Sequence, residues 1–137
     1  MTTVKTLGDV EFGADLPAFA PDTSLDNVRR FCQAAGWHGP RFSSHEEAKK
    51  LGLPGAIVPG IMSQGFLAAM IHRWAPDGRI VKIDTVFRAP VLVDHSHDIT
   101  GTVTDIDESA TTVEIDLTVA NEAGETRVFG TALVQLS

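Results

Sequence analysis

The stretch that decides the fold runs from residue 60 to residue 90, GIMSQGFLAAMIHRWAPDGRIVKIDTVFRAP. Its first half places Ile61, Met62, Phe66, Leu67, Ala68, Ala69, Met70 and Ile71 on almost every side of a helical wheel. A helix apolar all round belongs in an interior. After Pro76-Asp77-Gly78 the period changes. Val81, Ile83, Thr85 and Phe87 alternate with Lys82, Asp84 and Arg88 until Pro90 ends the run, which is the two-residue repeat of a half-buried strand. The apolar segment from Ile61 to Ile71 is about half the roughly twenty residues that cross a bilayer. It therefore predicts a core helix with a sheet packed on it, and no membrane insertion.

The flanks extend the same pattern. Upstream, Thr23 or Ser24 is placed to cap a helix whose inner face is Leu25, Val28, Phe31, Cys32 and Ala35, with Gly36 as its stop. Residues 36–42, Gly-Trp-His-Gly-Pro-Arg-Phe, are broken by Gly and Pro and predict a loop with fixed turns. Ser44 followed by Glu47 is a capping box for a short helix that buries Ala48 and Leu51 and stops near Gly52. The first twenty residues predict an opening strand and a loop. Downstream, residues 99–106 are Thr-rich and extended, and Val113, Ile115, Leu117 and Val119 alternate with polar neighbours. A hairpin at residues 121–124 then leads to a closing strand over residues 128–136. Helices first and antiparallel strands after give an α+β architecture. An antiparallel sheet wrapped around a central apolar helix is the hotdog arrangement, expected here as one domain over residues 1–137.

Composition narrows the function. In 137 residues with 43% hydrophobic and 21% charged side chains, the net charge is −7 and no basic run occurs. Nucleic acid and anionic membrane surfaces both need a basic footprint, so neither is an expected partner. Cys32 is the single cysteine, which rules out an intramolecular disulfide and fits a reducing cytoplasm.

From about Leu25 to Leu136 the chain resembles the MaoC-like enoyl-thioester hydratases and dehydratases. The resemblance rests on Gly36, Pro40, Ala48 and Gly60, on Phe87-Arg88-Ala89-Pro90-Val91, and on Gly130-Thr131-Ala132-Leu133-Val134. It implies a hotdog fold, an acyl-CoA or acyl-carrier thioester as ligand, a place in fatty acid or polyketide metabolism, no cofactor, and assembly with a second hotdog subunit as a homodimer or heterodimer. It breaks at the chemistry. The Asp and His that activate water in this family fall at Trp37 and Phe42, its Asn at Gly39, and the His before the central helix at Pro59.

Hydration of an enoyl thioester needs a proton-transfer pair and a means of holding the enolate oxygen. Backbone N–H groups at a helix start can do the second job without a side chain, and Gly60, Ile61, Met62 and Ser63 are the candidates. Ser63 and Gln64 are placed to hydrogen-bond a ligand, and Arg88 and Lys82 to meet a phosphate. Trp37 and Phe42 would either line an acyl chain or fill the site. His38, beside the missing Asp, is the candidate stand-in base, while His45 in the first turn of its helix is expected to face solvent. Asp94-His95-Ser96-His97-Asp98 has the composition of a metal site but occupies a turn of the family pattern, and no metal is expected there.

Three functions follow. The first is an auxiliary, catalytically degenerate half of a hydratase or dehydratase. The second is a hydro-lyase or thioesterase with a reassigned site that uses His38. The third is a binding or structural hotdog domain without chemistry.

Overall fold

The structure, a computed structural model, describes residues 3–137; the first two residues of the predicted opening strand lie outside the described range. Helix α1 spans Leu25–Ala35 and starts where the Ser24 hydroxyl accepts the Asn27 N–H. It ends at Gly36, whose φ of 74° is the left-handed conformation that Gly adopts without penalty. Helix α2, Pro40–Ser43, is a single turn in the segment predicted as a loop. Pro40 sits at its first position, where the missing N–H costs nothing and the fixed φ favours a helix, so Pro initiates here what it would break further in. Helix α3, His45–Lys50, is capped by Ser44 as its spacing predicts, the hydroxyl accepting the Glu47 N–H.

Helix α4, Gly60–Trp74, buries Met62, Ser63, Leu67, Met70, Ile71 and Trp74. It is not enclosed on every side: Ile61, Gly65, His72 and Arg73 are exposed, although the Arg73 guanidinium stacks on the Phe19 ring at 4.6 Å.

Strands β1 (Arg79–Phe87), β2 (His97–Asp107), β3 (Thr112–Asn121) and β4 (Thr126–Gln135) form an antiparallel sheet in the order β1-β4-β3-β2. On β3 the predicted alternation holds: Val113, Ile115, Leu117 and Val119 face the core together with Val128, Ala132 and Val134 of β4. On β1 it holds only for Ile83 and Thr85, because the register shifts between Ile80 and Lys82 and leaves Val81 exposed, as is Phe87 at the strand end. In the β3–β4 hairpin the Asn121 side chain accepts the Ala123 and Glu125 N–H groups, with Gly124 at φ 77°.

The N-terminal segment runs along the outer edge of β2 through bridges Asp15–Thr102 and Phe19–Ile99. It covers that edge, so the opening strand survives as isolated bridges beside a 3-10 turn at Leu7–Asp9. Strand β1, at the opposite edge, has no neighbour beyond it among the described residues. No helix among them is long and apolar enough to cross a membrane.

Candidate functional site

A cavity of about 310 Å³ lies where the start of α4 meets the end of β1. Its walls come from three places. Gly60 and Ser63 belong to α4, Phe87 closes β1, and Ile57, Val58, Pro90 and Val91 come from two segments that run side by side. These segments form a short antiparallel ribbon: the Val58 N–H donates to the Val91 carbonyl at 2.8 Å, and the Val93 N–H to the Ala56 carbonyl at 2.9 Å. The Phe87 ring lies over Gly60 so closely that a Cβ there would meet it at 3.2 Å. Absence of a side chain at Gly60 is thus what lets the aromatic wall approach the helix start.

The polar groups at this cavity are few. Ser63 is 2% exposed and lines it. The Met62 and Ser63 amides both donate to the Pro59 carbonyl, at 3.0 and 3.1 Å. Of the four amides expected to face an oxyanion, those of Gly60 and Ile61 are therefore free of this bond, at the positive end of the α4 dipole, and of these two residues only Gly60 lines the cavity. Gln64 donates to the Thr85 hydroxyl at 3.1 Å, which ties α4 to β1 and uses part of its hydrogen-bonding capacity. Arg88 lines the cavity because the chain turns after β1, where the Arg88 and Ala89 N–H groups both donate to the Arg127 carbonyl. Lys82 does not reach it: it is exposed and pairs with Asp84 at 3.2 Å, outside the cavity lining.

Trp37, His38 and Phe42 are likewise absent from the lining. Trp37, 41% exposed, lies with its ring centroid 6.4 Å from Phe31 in an edge arrangement and 5.8 Å from Phe42. The Arg41 guanidinium stacks over Phe42 at 5.1 Å, and Phe42 packs on the core. These rings hold one another. His38 is exposed on the loop between Trp37 and Gly39. The Arg41 carbonyl accepts the Ile57 N–H at 3.0 Å, which links this aromatic group to the cavity wall through the backbone.

The remaining histidines are held by polar partners. His45, expected to face solvent, is instead bonded at both ring nitrogens: Nδ1 accepts the Ala56 N–H at 3.0 Å and Nε2 donates to Asp94 at 2.7 Å. That hydrogen bond and one from the Leu25 N–H hold the Asp94 carboxyl below its ordinary range. Nothing in the helical pattern around His45 signals this role, since both partners are distant in sequence. His95 pairs with Glu122 at 2.6 Å. His97, 3% exposed, donates through Nδ1 to the His95 carbonyl, and its Nε2 is buried without a partner. Burial pushes the His97 pKa down. Among the described residues no group of three His, Cys, Asp or Glu side chains converges as metal ligands would.

Chemically, the cavity offers an apolar slot, one hydroxyl, the helix-start amide of Gly60 and a cation. Its lining contains no carboxylate or imidazole to move a proton.

Comparison with protein families matches residues 20–124 to the MaoC like domain. The chain belongs to this family. The match stops before β4, yet the MaoC-like protein completes the fold with that strand. Its structure is similar to the (R)-hydratase from A. caviae involved in PHA biosynthesis, with a TM-score of 0.87 at 17% identity over 93% of this chain and 98% of the other. It is also similar to a MaoC-like dehydratase, with a TM-score of 0.90 at 23% identity over 99% of this chain and 43% of the other. A chain of the ChsH1-ChsH2 complex from Mycobacterium tuberculosis gives 0.85 at 16% identity, over 93% and 99%. No curated protein matches by sequence. At these identities the likeness establishes the fold, which is the expected hotdog. In this MaoC-like chain, Trp37 and Phe42 stand where the family resemblance places Asp and His.

Proposed function

We propose that this MaoC-like protein is an acyl-thioester-binding, catalytically degenerate subunit that serves a hydratase or dehydratase whose acid–base pair resides on another hotdog chain. One observation carries the reading: the cavity at the start of α4 is lined by Gly60, whose amide is not spent on Pro59, by Ser63 and by Arg88, and its lining has no proton-transfer group. The Gly60 amide can hold a thioester oxygen, the apolar walls can take the acyl group, and Arg88 can meet a phosphate of CoA or of a carrier arm. The proton transfers of hydration are missing, and general acid–base groups contribute roughly 10²- to 10⁴-fold.

The uncovered edge of β1 supports a hotdog partner. Val81, Val86 and Phe87 on it are each about half exposed, as is Ile61 on the flanking helix, and a long apolar edge strand invites pairing. Similar structures include a dehydratase named as a two-component complex, HadBC from Mycobacterium tuberculosis, at a TM-score of 0.68. The buried Cys32 thiol, whose pKa burial raises, suits a reducing cytoplasm.

The test is crotonyl-CoA hydration by the purified chain alone and with a MaoC-like hotdog subunit that carries the family's Asp and His, alongside thermal shift with crotonyl-CoA. The lone chain should be stabilised by the thioester and hydrate none of it. Hydration by the lone chain at the rate of the mixture would refute the reading, as would no thermal shift at millimolar thioester.

A further inference from the structure

The cavity wall is held by a side chain outside the cavity. The ribbon of residues 56–58 and 91–93 supplies Ile57, Val58 and Val91 to the lining and leads through Pro59 into Gly60, which also lines the cavity. At its closed end the ribbon is clasped. The Ala56 N–H donates to His45 Nδ1, and His45 Nε2 donates to one oxygen of Asp94 while the Leu25 N–H donates to the other at 3.0 Å. Asp94 is itself fixed at a φ of 66°, unusual outside Gly, with its N–H on the Thr23 carbonyl at 2.9 Å.

The chemistry of the clasp is determined. A backbone N–H can only donate, so Nδ1 must present its lone pair, and the ring proton must sit on Nε2, where the Asp94 carboxylate receives it. The fit is close: a Cβ on Gly55 would stand 2.9 Å from His45 Nδ1. With both nitrogens engaged, His45 is no base for a substrate.

We propose that His45 is a positioning residue for the acyl-thioester cavity: its imidazole, kept in one tautomer by Asp94, fixes the Ala56 amide and through it the ribbon wall and the start of α4. This rests on the reading of the cavity as a thioester site. The geometry separates two halves of the function, one nitrogen facing the wall and the other the anchor, and isosteres can remove them one at a time.

His45→Asn places an amide oxygen near the Nδ1 position and keeps an acceptor for Ala56. His45→Gln reaches toward Asp94 and leaves Ala56 without one, and His45→Ala removes both. Crotonyl-CoA affinity should fall about tenfold in His45→Ala and His45→Gln, as expected for one lost hydrogen bond, and recover in His45→Asn. A purely structural role would move all three together with their melting temperatures. Equal affinities for the Asn and Gln variants, or an Ala variant that binds like the wild type, would overturn the proposal.

Two measurements need no ligand. Nitrogen NMR of the wild type should show the Nε2–H tautomer of His45, and amide exchange at residues 56–60 should accelerate in His45→Gln but not in His45→Asn. An Nδ1–H tautomer, or the reverse exchange pattern, defeats the proposal even if crotonyl-CoA fails to bind and the thioester reading falls with it.

Discussion

Replacing Gly130 with alanine tests whether the register of β1 on β4 holds the cavity together. Gly130 lies opposite Thr85 in the ladder. A Cβ built on it would run into the carbonyl oxygen of Asp84 and stand 2.9 Å from the Asp84 carbonyl carbon and from the Thr85 Cα. All three are backbone atoms, so no rotamer change can relieve the clash, and β1 must lift from β4. Overpacking of this kind costs about 1–3 kcal/mol. Loss of one or two ladder hydrogen bonds adds about 1 kcal/mol each. The expected loss is about 2–5 kcal/mol, a large share of the roughly 5–15 kcal/mol available to a domain. The same lift moves Thr85 from Gln64 and the Phe87 ring from Gly60, so thioester binding should fall with stability. Urea unfolding followed by far-ultraviolet circular dichroism measures the first and thermal shift with crotonyl-CoA the second. Gly65→Ala is the control: it is exposed within α4 and its Cβ would meet nothing within 4 Å, so it should stabilise by about 0.5–1 kcal/mol. A Gly130→Ala loss below about 1 kcal/mol would refute the argument.

His97 makes stability depend on pH. Its folded pKa lies below the ordinary 6.5 because burial disfavours the charged ring, so below that pH the unfolded chain takes a proton that the folded chain refuses. Stability should decline as pH falls from 7 toward 5, and His97→Leu should flatten that slope; an unchanged slope in urea titrations at the two pH values would contradict it. At the free edge, Val81→Glu should abolish association with a hotdog partner in light scattering while shifting unfolding by less than about 0.5 kcal/mol. Persistence of the complex would place the interface elsewhere.

Sequence alone determined the elements whose signals are local. The Ser24 and Ser44 caps, the Gly36 stop, the apolar run of α4 and the two-residue alternation of β3 each depend on neighbours within a few residues, and the family resemblance followed from their order. The placing of Trp37 and Phe42 at the family's Asp and His positions rests on the sequence resemblance alone, and the structure keeps both outside the cavity lining. Tertiary structure decided what depends on contacts between distant segments. Arg88 reaches the cavity while Lys82 does not because the chain turns only after Phe87. The Met62 and Ser63 amides are consumed by Pro59, which leaves two donors where four were expected. His45 shows the difference most clearly: its partners, Ala56 and Asp94, lie 11 and 49 residues away. Periodicity reports which face of an element is apolar, whereas a hydrogen bond between distant segments exists only once the chain has folded to bring them together.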